Sequence, residues 1–300
     1  MAGSAFALRR RRTFNGPMTT TSGSLGPHTV QRVGFGAMQL PGPNVMGPPR
    51  DHDQAIAVIR RARELGVDHI DTASYYGPNV ANALLAEALD PWPADLRIVS
   101  KVGARRDEQG AWLPALSPQD IRSQVQDDLR VLGIDRLTAV NLRVLESSDE
   151  VFDAALDTLI ALREEGAIEL IGLSNVDVGQ LEHALGRTEI ACVQNQYGLL
   201  DRGGEAVLAA AGQRGIAFVP FFPLGSAFGV APRPAEHPEV QRIAAEIGAT
   251  ATQVALAWLL HHDDHILLIP GTSSLDHLEE NLGAAQVELG PEHMAILDGL

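Results

Sequence analysis

The chain has 300 residues, 45% of them hydrophobic, and carries a formal charge of −15 at pH 7. That length suits one or two domains, and so acidic a body argues against nucleic acid or an anionic membrane as a main partner. Cys192 is the only cysteine, which excludes an intramolecular disulfide and a multi-cysteine zinc site and points to a reducing compartment, the cytoplasm.

The start, MAGSAFALRRRRTFNGP, places its charge after a short apolar stretch with no hydrophobic core behind it, the wrong order for a secretory signal. An acid-free, Arg-rich start leaves an organelle transit peptide open, beside a disordered tail or a true beginning at Met18. A Gly/Ser/Thr/Pro-rich lead follows, so residues 1–28 are expected to be a disordered N-terminal tail and 29–300 the folded domain. No apolar run approaches the ~20 residues needed to span a bilayer.

From there, short β-rich apolar runs alternate with stretches of helical period. The strand candidates are Val33–Ala37, His69–Ala73, Arg97–Val102, Leu137–Leu142, Glu169–Ser174, Ala191–Gln196, Ala217–Phe221 and Ile266–Pro270. Helical segments lie near 53–65, 80–89, 118–132, 150–165, 178–186, 203–214, 236–248, 251–262 and 275–284. Ser117-Pro118, Asp177 and Thr250 supply cap chemistry at helix starts, and Gly66, Gly133, Gly166 and Gly215 mark helix ends. Eight such units, with no linker to split them, predict an α/β fold, a single-domain (β/α)8 TIM barrel, whose chemistry belongs at the C-terminal ends of the strands.

The second strand candidate ends in Asp71-Thr72-Ala73, followed by Ser74-Tyr75-Tyr76-Gly77-Pro78, and the third carries Ser100-Lys101. At one barrel rim, Asp71, Tyr76 and Lys101 would converge. A buried carboxylate holding an ammonium that in turn stabilises tyrosinate turns a phenol into a usable general acid. Spacing alone leaves a second reading open, in which Asp71 and Lys101 form a structural ion pair beside a loop aromatic.

Asp71-Thr72-Ala73-x-x-Tyr76-Gly77, Ser100-Lys101, Gly172-Leu173-Ser174-Asn175 and Ile269-Pro270-Gly271-Thr272, in that order, resemble the aldo-keto reductases over about residues 29–300. Within them, Gly36-Ala37-Met38-Gln39-Leu40, Gly47-Pro48-Pro49-Arg50-Asp51 and Val140-Asn141-Leu142-Arg143 are similar to the bacterial pyridoxal reductase branch. The resemblance implies a nicotinamide-dependent carbonyl reductase with Tyr76, Lys101 and Asp71 as its catalytic group. Many members carry a histidine at the position matched here by Arg143; a guanidinium still donates to a carbonyl oxygen but cannot relay a proton. Pairing of Arg143 with Glu146 or with a substrate phosphate stays open.

No Rossmann fingerprint is present, since Gly34-Phe35-Gly36-Ala37-Met38-Gln39 lacks the third glycine. By resemblance, Gly36, Ala37 and Met38 border the cofactor, Ser174, Asn175 and Gln194 hold the nicotinamide carboxamide, and Phe221 stacks on its ring. Leu224, Gly225 and Ser226 match the segment over the pyrophosphate. Gly271, Thr272, Ser273, Ser274, His277, Glu280 and Asn281 match the adenosine and 2′-phosphate site, with Gly271 and His277 standing where the family often has Lys and Arg. NADPH is the expected cofactor, with NADH possible.

Loops 103–116, with Trp112, and 225–238, with Phe228, are expected to wall the substrate pocket. The expected substrate is a small aldehyde: pyridoxal by the branch likeness, generic aldehydes as the alternative, and a nicotinamide-binding regulatory subunit as a reading from another class. His261-His262-Asp263-Asp264-His265 has metal-like composition but falls between a helix and the eighth strand, at the rim opposite the chemistry, so no metal is expected. Cys192 reads as a small core residue.

Overall fold

The computed structural model describes residues 22–145, 147–225 and 232–300. Seven parallel strands stand in chain order: β3 (Phe35–Gly36), β4 (His69–Asp71), β5 (Arg97–Arg106), β7 (Leu137–Arg143), β8 (Ile168–Ser174), β9 (Cys192–Gln194) and β10 (Ala217–Phe218). The ring closes through residues 266–268. Phe218 bridges to Ile266 and Val33 to Leu268, and backbone bonds Leu267 N to Phe218 O (2.9 Å) and Gly34 N to Leu268 O (2.8 Å) carry the ladder across the seam. The expected eighth strand is thus present as bridges alone, because both of its neighbours are only two residues long.

The helices are α1 (His52–Glu64), α2 (Val80–Leu89), α3 (Pro118–Leu132), α4 (Asp149–Glu164), α5 (Val178–Leu185), α6 (Glu205–Gly212), α7 (Pro238–Ile247), α8 (Ala251–His262), α9 (Leu275–Gly283) and α10 (Pro291–Asp298). Their starts follow the cap chemistry. Ser117 accepts from Asp120 N at the head of α3, and Asp177 and Thr250 each form a reciprocal capping box with a glutamine three residues on. The four glycines expected to end helices all take positive φ, a conformation that strains any side chain with a Cβ. Helix α10 was not expected; it docks through the Trp258 indole, which donates to Asp298 (2.9 Å), and Arg202, which donates to Leu297 O (3.0 Å).

Two expectations are corrected. Residues 22–28 are not a disordered tail: β1 (Ser22–Leu25) and β2 (His28–Gln31) form an antiparallel hairpin. Its Leu25 and Val30 bury against Val99, Ala139, Cys192 and Ala217, from the first halves of barrel strands, Leu267 of the 266–268 rung, and Val219 just after β10, so the hairpin plugs the N-terminal end. The Gly26-Pro27 that reads as linker composition is the hairpin's turn. Residues 1–21, with the arginine run, lie outside the described residues.

The second correction is the 103–116 loop. Strand β5 continues past the rim to Arg106 and folds back as β6 (Trp112–Ala115), Arg106 pairing with Trp112 across the strands and lying 4.2 Å above its ring. At Gly103 (φ +101°), where the strand leaves the barrel, a Cβ would sit 2.4 Å from Arg143 O, so only glycine lets β5 pass there.

Candidate active site

Strand β4 ends at Asp71, and β5 runs beside it with Asp71 opposite Val99. Side chains alternate along a strand, so Lys101, two positions beyond Val99, shares its inward face. Its Nζ donates to Asp71 Oδ1 (2.5 Å) and to Thr72 O (3.0 Å), with the two side chains only 2% and 5% exposed. Removing one partner of such a pair leaves an uncompensated buried charge.

Tyr76 follows on the tight turn after β4, its N–H donating to Ala73 O (3.0 Å). Its ring lies 5.0 Å from Lys101 Nζ and meets Tyr75 edge-on at 5.4 Å. Burial pushes the Tyr76 phenol well above its ordinary range; Asp71 adds to the rise and Arg143 opposes it. Arg143, on the next strand of the rim, thus joins the expected group as a cation that opposes the rise. A phenol held protonated in this way is a donor at neutral pH.

Arg143 closes β7, in register with Ser174 of β8. Its guanidinium lies between two rings, 5.5 Å from Trp112 and 5.6 Å from Phe221, and its Nε is buried without a hydrogen-bond partner among the described residues. Arg143 lines the same cleft as Tyr76, Lys101 and Asp71. Glu146, the alternative partner, lies outside the described residues.

The cleft continues between Gly36, Met38, Phe221, Leu224, Gly225 and Gly271. Gln194 lines the cleft, and Ser174 closes the neighbouring strand β8; Gln194 Oε1 and Ser174 Oγ are both buried without a hydrogen-bond partner among the described residues. Gln194 gives its amide NH2 to Asp71 Oδ2 (2.8 Å), which leaves the carbonyl oxygen free as an acceptor. A hydroxyl donor and a carbonyl acceptor, both orphaned, match the two ends of a primary carboxamide, so these residues fit nicotinamide. Asn175, at φ +61°, lies beside them, but its Nδ2 donates to Val144 O (2.5 Å). Gly36 and Gly271 face each other so closely that a Cβ on either would meet the other segment's backbone carbonyl at 2.4–2.5 Å, which excludes the family's frequent lysine at Gly271 without a backbone shift.

The remaining expected cofactor residues divide. Ser273 borders an adjoining pocket with Arg50 and Gln54, Ser274 caps α9, and Thr272 Oγ1 accepts from Ser274 N (3.0 Å). His277 N–H is spent on the Ser274 cap (3.4 Å), Glu280 accepts from the Thr250 hydroxyl (2.6 Å), and Asn281 is buried. Glu280 is thus turned toward α8. Ala37 is wholly buried in the core rather than lining the cleft. Ser226 and Phe228 lie outside the described residues.

The sequence reading missed Tyr75 and Arg233. Tyr75 packs edge-on against Trp112 (5.3 Å) as well as Tyr76, and its buried hydroxyl has no partner among the described residues. Neighbouring aromatics on an irregular turn carry no periodicity from which to read their direction. Arg233 lies on the 225–238 segment expected to wall the pocket, and it lines the cleft as that expectation has it, though no local motif singles out this residue.

The sequence matches the profile of the Aldo/keto reductase family over residues 32–300. It is 46% identical over 288 residues to pyridoxine 4-dehydrogenase of Escherichia coli K12, covering 94% of this chain and 99% of that one. An uncharacterised oxidoreductase of Schizosaccharomyces pombe is 36% identical over 274 residues, 91% of this chain and 88% of that one. Among solved structures, the thermostable aldo-keto reductase Tm1743, crystallised with the inhibitor epalrestat, superposes with a TM-score of 0.79 at 27% identity, covering 93% and 99% of the two chains. An aldo-keto reductase of Klebsiella pneumoniae, solved with NADPH, gives 0.79 at 24% identity over 94% and 95%.

Proposed function

The chain belongs to the aldo/keto reductase family, and from that premise we propose that it reduces a small aldehyde, pyridoxal to pyridoxine, with NADPH. What supports the reaction class is the cleft itself, in which a buried Asp71–Lys101 pair, a Tyr76 phenol that burial holds protonated and the unpartnered Gln194 Oε1 meet, with Ser174 Oγ unpartnered on the strand beside Gln194. The substrate is supported by the 46% identity to the E. coli pyridoxine 4-dehydrogenase.

When bound, the nicotinamide supplies the hydride. Ser174 Oγ and Gln194 Oε1 would hold its carboxamide, and Phe221 would offer an apolar face to its ring. Arg143 donates to the carbonyl oxygen and stabilises the charge that gathers there. Tyr76 delivers its proton to that oxygen, so hydride and proton together complete a two-electron reduction to the alcohol. Lys101, fixed by Asp71, faces the tyrosinate that remains until a proton returns from solvent. The same reading places the protein in the reducing cytoplasm, where its single thiol, buried and pushed up to about 12, stays reduced.

Following NADPH oxidation with pyridoxal, 4-nitrobenzaldehyde and methylglyoxal tests the proposal. Pyridoxal is expected to give the highest kcat/KM, and equal rates across the panel would replace it with a generic aldehyde reductase. Equal or better turnover with NADH would overturn the cofactor preference. Arg143→Ala is expected to lower kcat/KM about tenfold or more; a change within about twofold, below ~0.5 kcal/mol, removes Arg143 from the mechanism.

A further inference from the structure

Asp71-Thr72 and Ser100-Lys101 are adjacent pairs on neighbouring strands, and in each pair one side chain faces into the barrel and the other faces the helix layer. The inward members form the ion pair. The outward members, Thr72 and Ser100, are both fully buried and enter a separate hydrogen-bonded chain. Ser100 Oγ donates to Asp128 Oδ2 (2.5 Å) on α3. Asn82 on α2 donates from Nδ2 to Asp128 Oδ1 (2.7 Å), and its Oδ1 accepts from Thr72 Oγ1 (2.7 Å).

The chain of donors has one consistent direction. In its ionised form Asp128 can only accept, so Asn82 then turns its NH2 toward it and its carbonyl toward Thr72, whose hydroxyl donates. Every side-chain polar atom of Asn82 and Asp128 is used, and both residues are 0% exposed. Two strand ends and two helices are thereby tied at one point, and the Thr72 whose hydroxyl is tied there also presents the backbone carbonyl that accepts from Lys101 Nζ at 3.0 Å.

We propose that Asp128 is a positioning residue for the reductase site: by locking Ser100, and Thr72 through Asn82, it fixes the backbones from which Lys101 and Asp71 project and so sets their geometry beneath Tyr76. The proposal rests on the reading of Asp71, Tyr76 and Lys101 as the catalytic group.

Energetics agree with a role in geometry rather than in folding. The elements packed around the carboxyl present Thr72, Ser100, Lys101 and Asn82, of which Lys101 alone is charged. Burial pushes Asp128 up to about 7 in spite of its hydrogen bonds from Ser100 and Asn82 and the attraction of Lys101, while Asp127 on the same helix pushes it further up. A buried carboxyl without a contacting cation costs stability that an apolar side chain of similar volume would not. What it supplies is a fully satisfied polar network, which specifies one arrangement of the strands. Near-attack geometry is sensitive to small displacements, with about 10²-fold lost for a shift of ~1 Å caused from a distance.

The test compares Asp128→Ala, Asp128→Asn, Ser100→Ala and Thr72→Val with the wild type, measuring kcat, KM for pyridoxal, NADPH Kd by fluorescence and Tm, with Tyr76→Phe in parallel. Asp128→Ala is expected to lower kcat about tenfold or more while NADPH Kd stays within about twofold. Asp128→Asn keeps both links, its carbonyl accepting from Asn82 and its NH2 donating to Ser100 Oγ, and is expected to restore kcat to within about threefold of wild type. Unchanged kcat with a lowered Tm in Asp128→Ala overturns the proposal, as does Asp128→Asn being no better than alanine. If Asp128→Ala does not fold, Ser100→Ala and Thr72→Val decide: reduced kcat at constant NADPH Kd supports the proposal, and unchanged kcat in both overturns it. A wild type inactive on every aldehyde, or an active Tyr76→Phe, would instead remove the reductase reading itself.

Discussion

The two ends of the barrel are built on opposite principles. At the N-terminal end, the β1–β2 hairpin closes the ring with an apolar cluster around Leu25 and Val30, and its polar groups find partners in the barrel: His28 bonds to Glu169 (2.8 Å), and the backbone N–H of Gln31 donates to both oxygens of Asp68 (3.0 Å). At the C-terminal end, a buried ion pair and Tyr76 line a cleft, and at that end Ser174 Oγ, Gln194 Oε1, Tyr75 Oη and Arg143 Nε have no partner among the described residues. Groups left unsatisfied inside a protein cost free energy. One rim therefore holds the fold together, and the other holds donors and acceptors in readiness for a ligand, at the expense of stability.

Substitutions on the two rims should separate these roles. The largest effect is expected from Tyr76→Phe, which removes the proton donor and is expected to lower kcat by about 10²–10⁴ while leaving Tm and NADPH binding intact. Retained turnover would show that the upper rim's chemistry runs through another group. Leu25→Ala probes the lower rim. Truncating a fully buried leucine is expected to cost about 2–5 kcal/mol, read from urea denaturation, with kcat at low denaturant unchanged. A fall in kcat matching the loss of stability would mean that the two ends are not independent.

Ser174→Ala gives the smallest and most telling effect. Its hydroxyl is buried and unpartnered, so its removal is expected to leave the apo protein as stable or slightly more so, while NADPH binds about 1 kcal/mol, roughly fivefold, more weakly. A lowered apo Tm with unchanged NADPH Kd would show that Ser174 belongs with the structural rim.

Much of this division could be read locally. Asp71, Tyr76 and Lys101 stand at strand ends whose position follows from the alternation of strand and helix, and Ser117, Asp177 and Thr250 mark helix starts because a side-chain oxygen is needed there for free backbone N–H groups. The misread segments were those whose local chemistry is ambiguous. Gly26-Pro27 is as suitable for a tail as for a hairpin turn, and only burial of Leu25 and Val30 under the barrel decides between them. Residues 103–116 contain Gly103, Asp107 and Gly110, which read as a loop, yet the pairing of Arg106 with Trp112 makes a hairpin that carries the indole to Arg143 and Tyr75.

By itself, then, the sequence determined the order of the barrel units, most helix starts and ends, and the inventory of strand-end chemistry, because hydrophobic period, capping and glycine placement act within a few residues. Only the tertiary structure decided which of those groups meet. It brought Gln194 to Asp71 across 123 positions and turned Glu280 toward Thr250. It also brought Arg143 close enough to oppose the rise of the Tyr76 phenol. Burial and charge balance are sums over distant neighbours, and closing the ring is what brings those neighbours together.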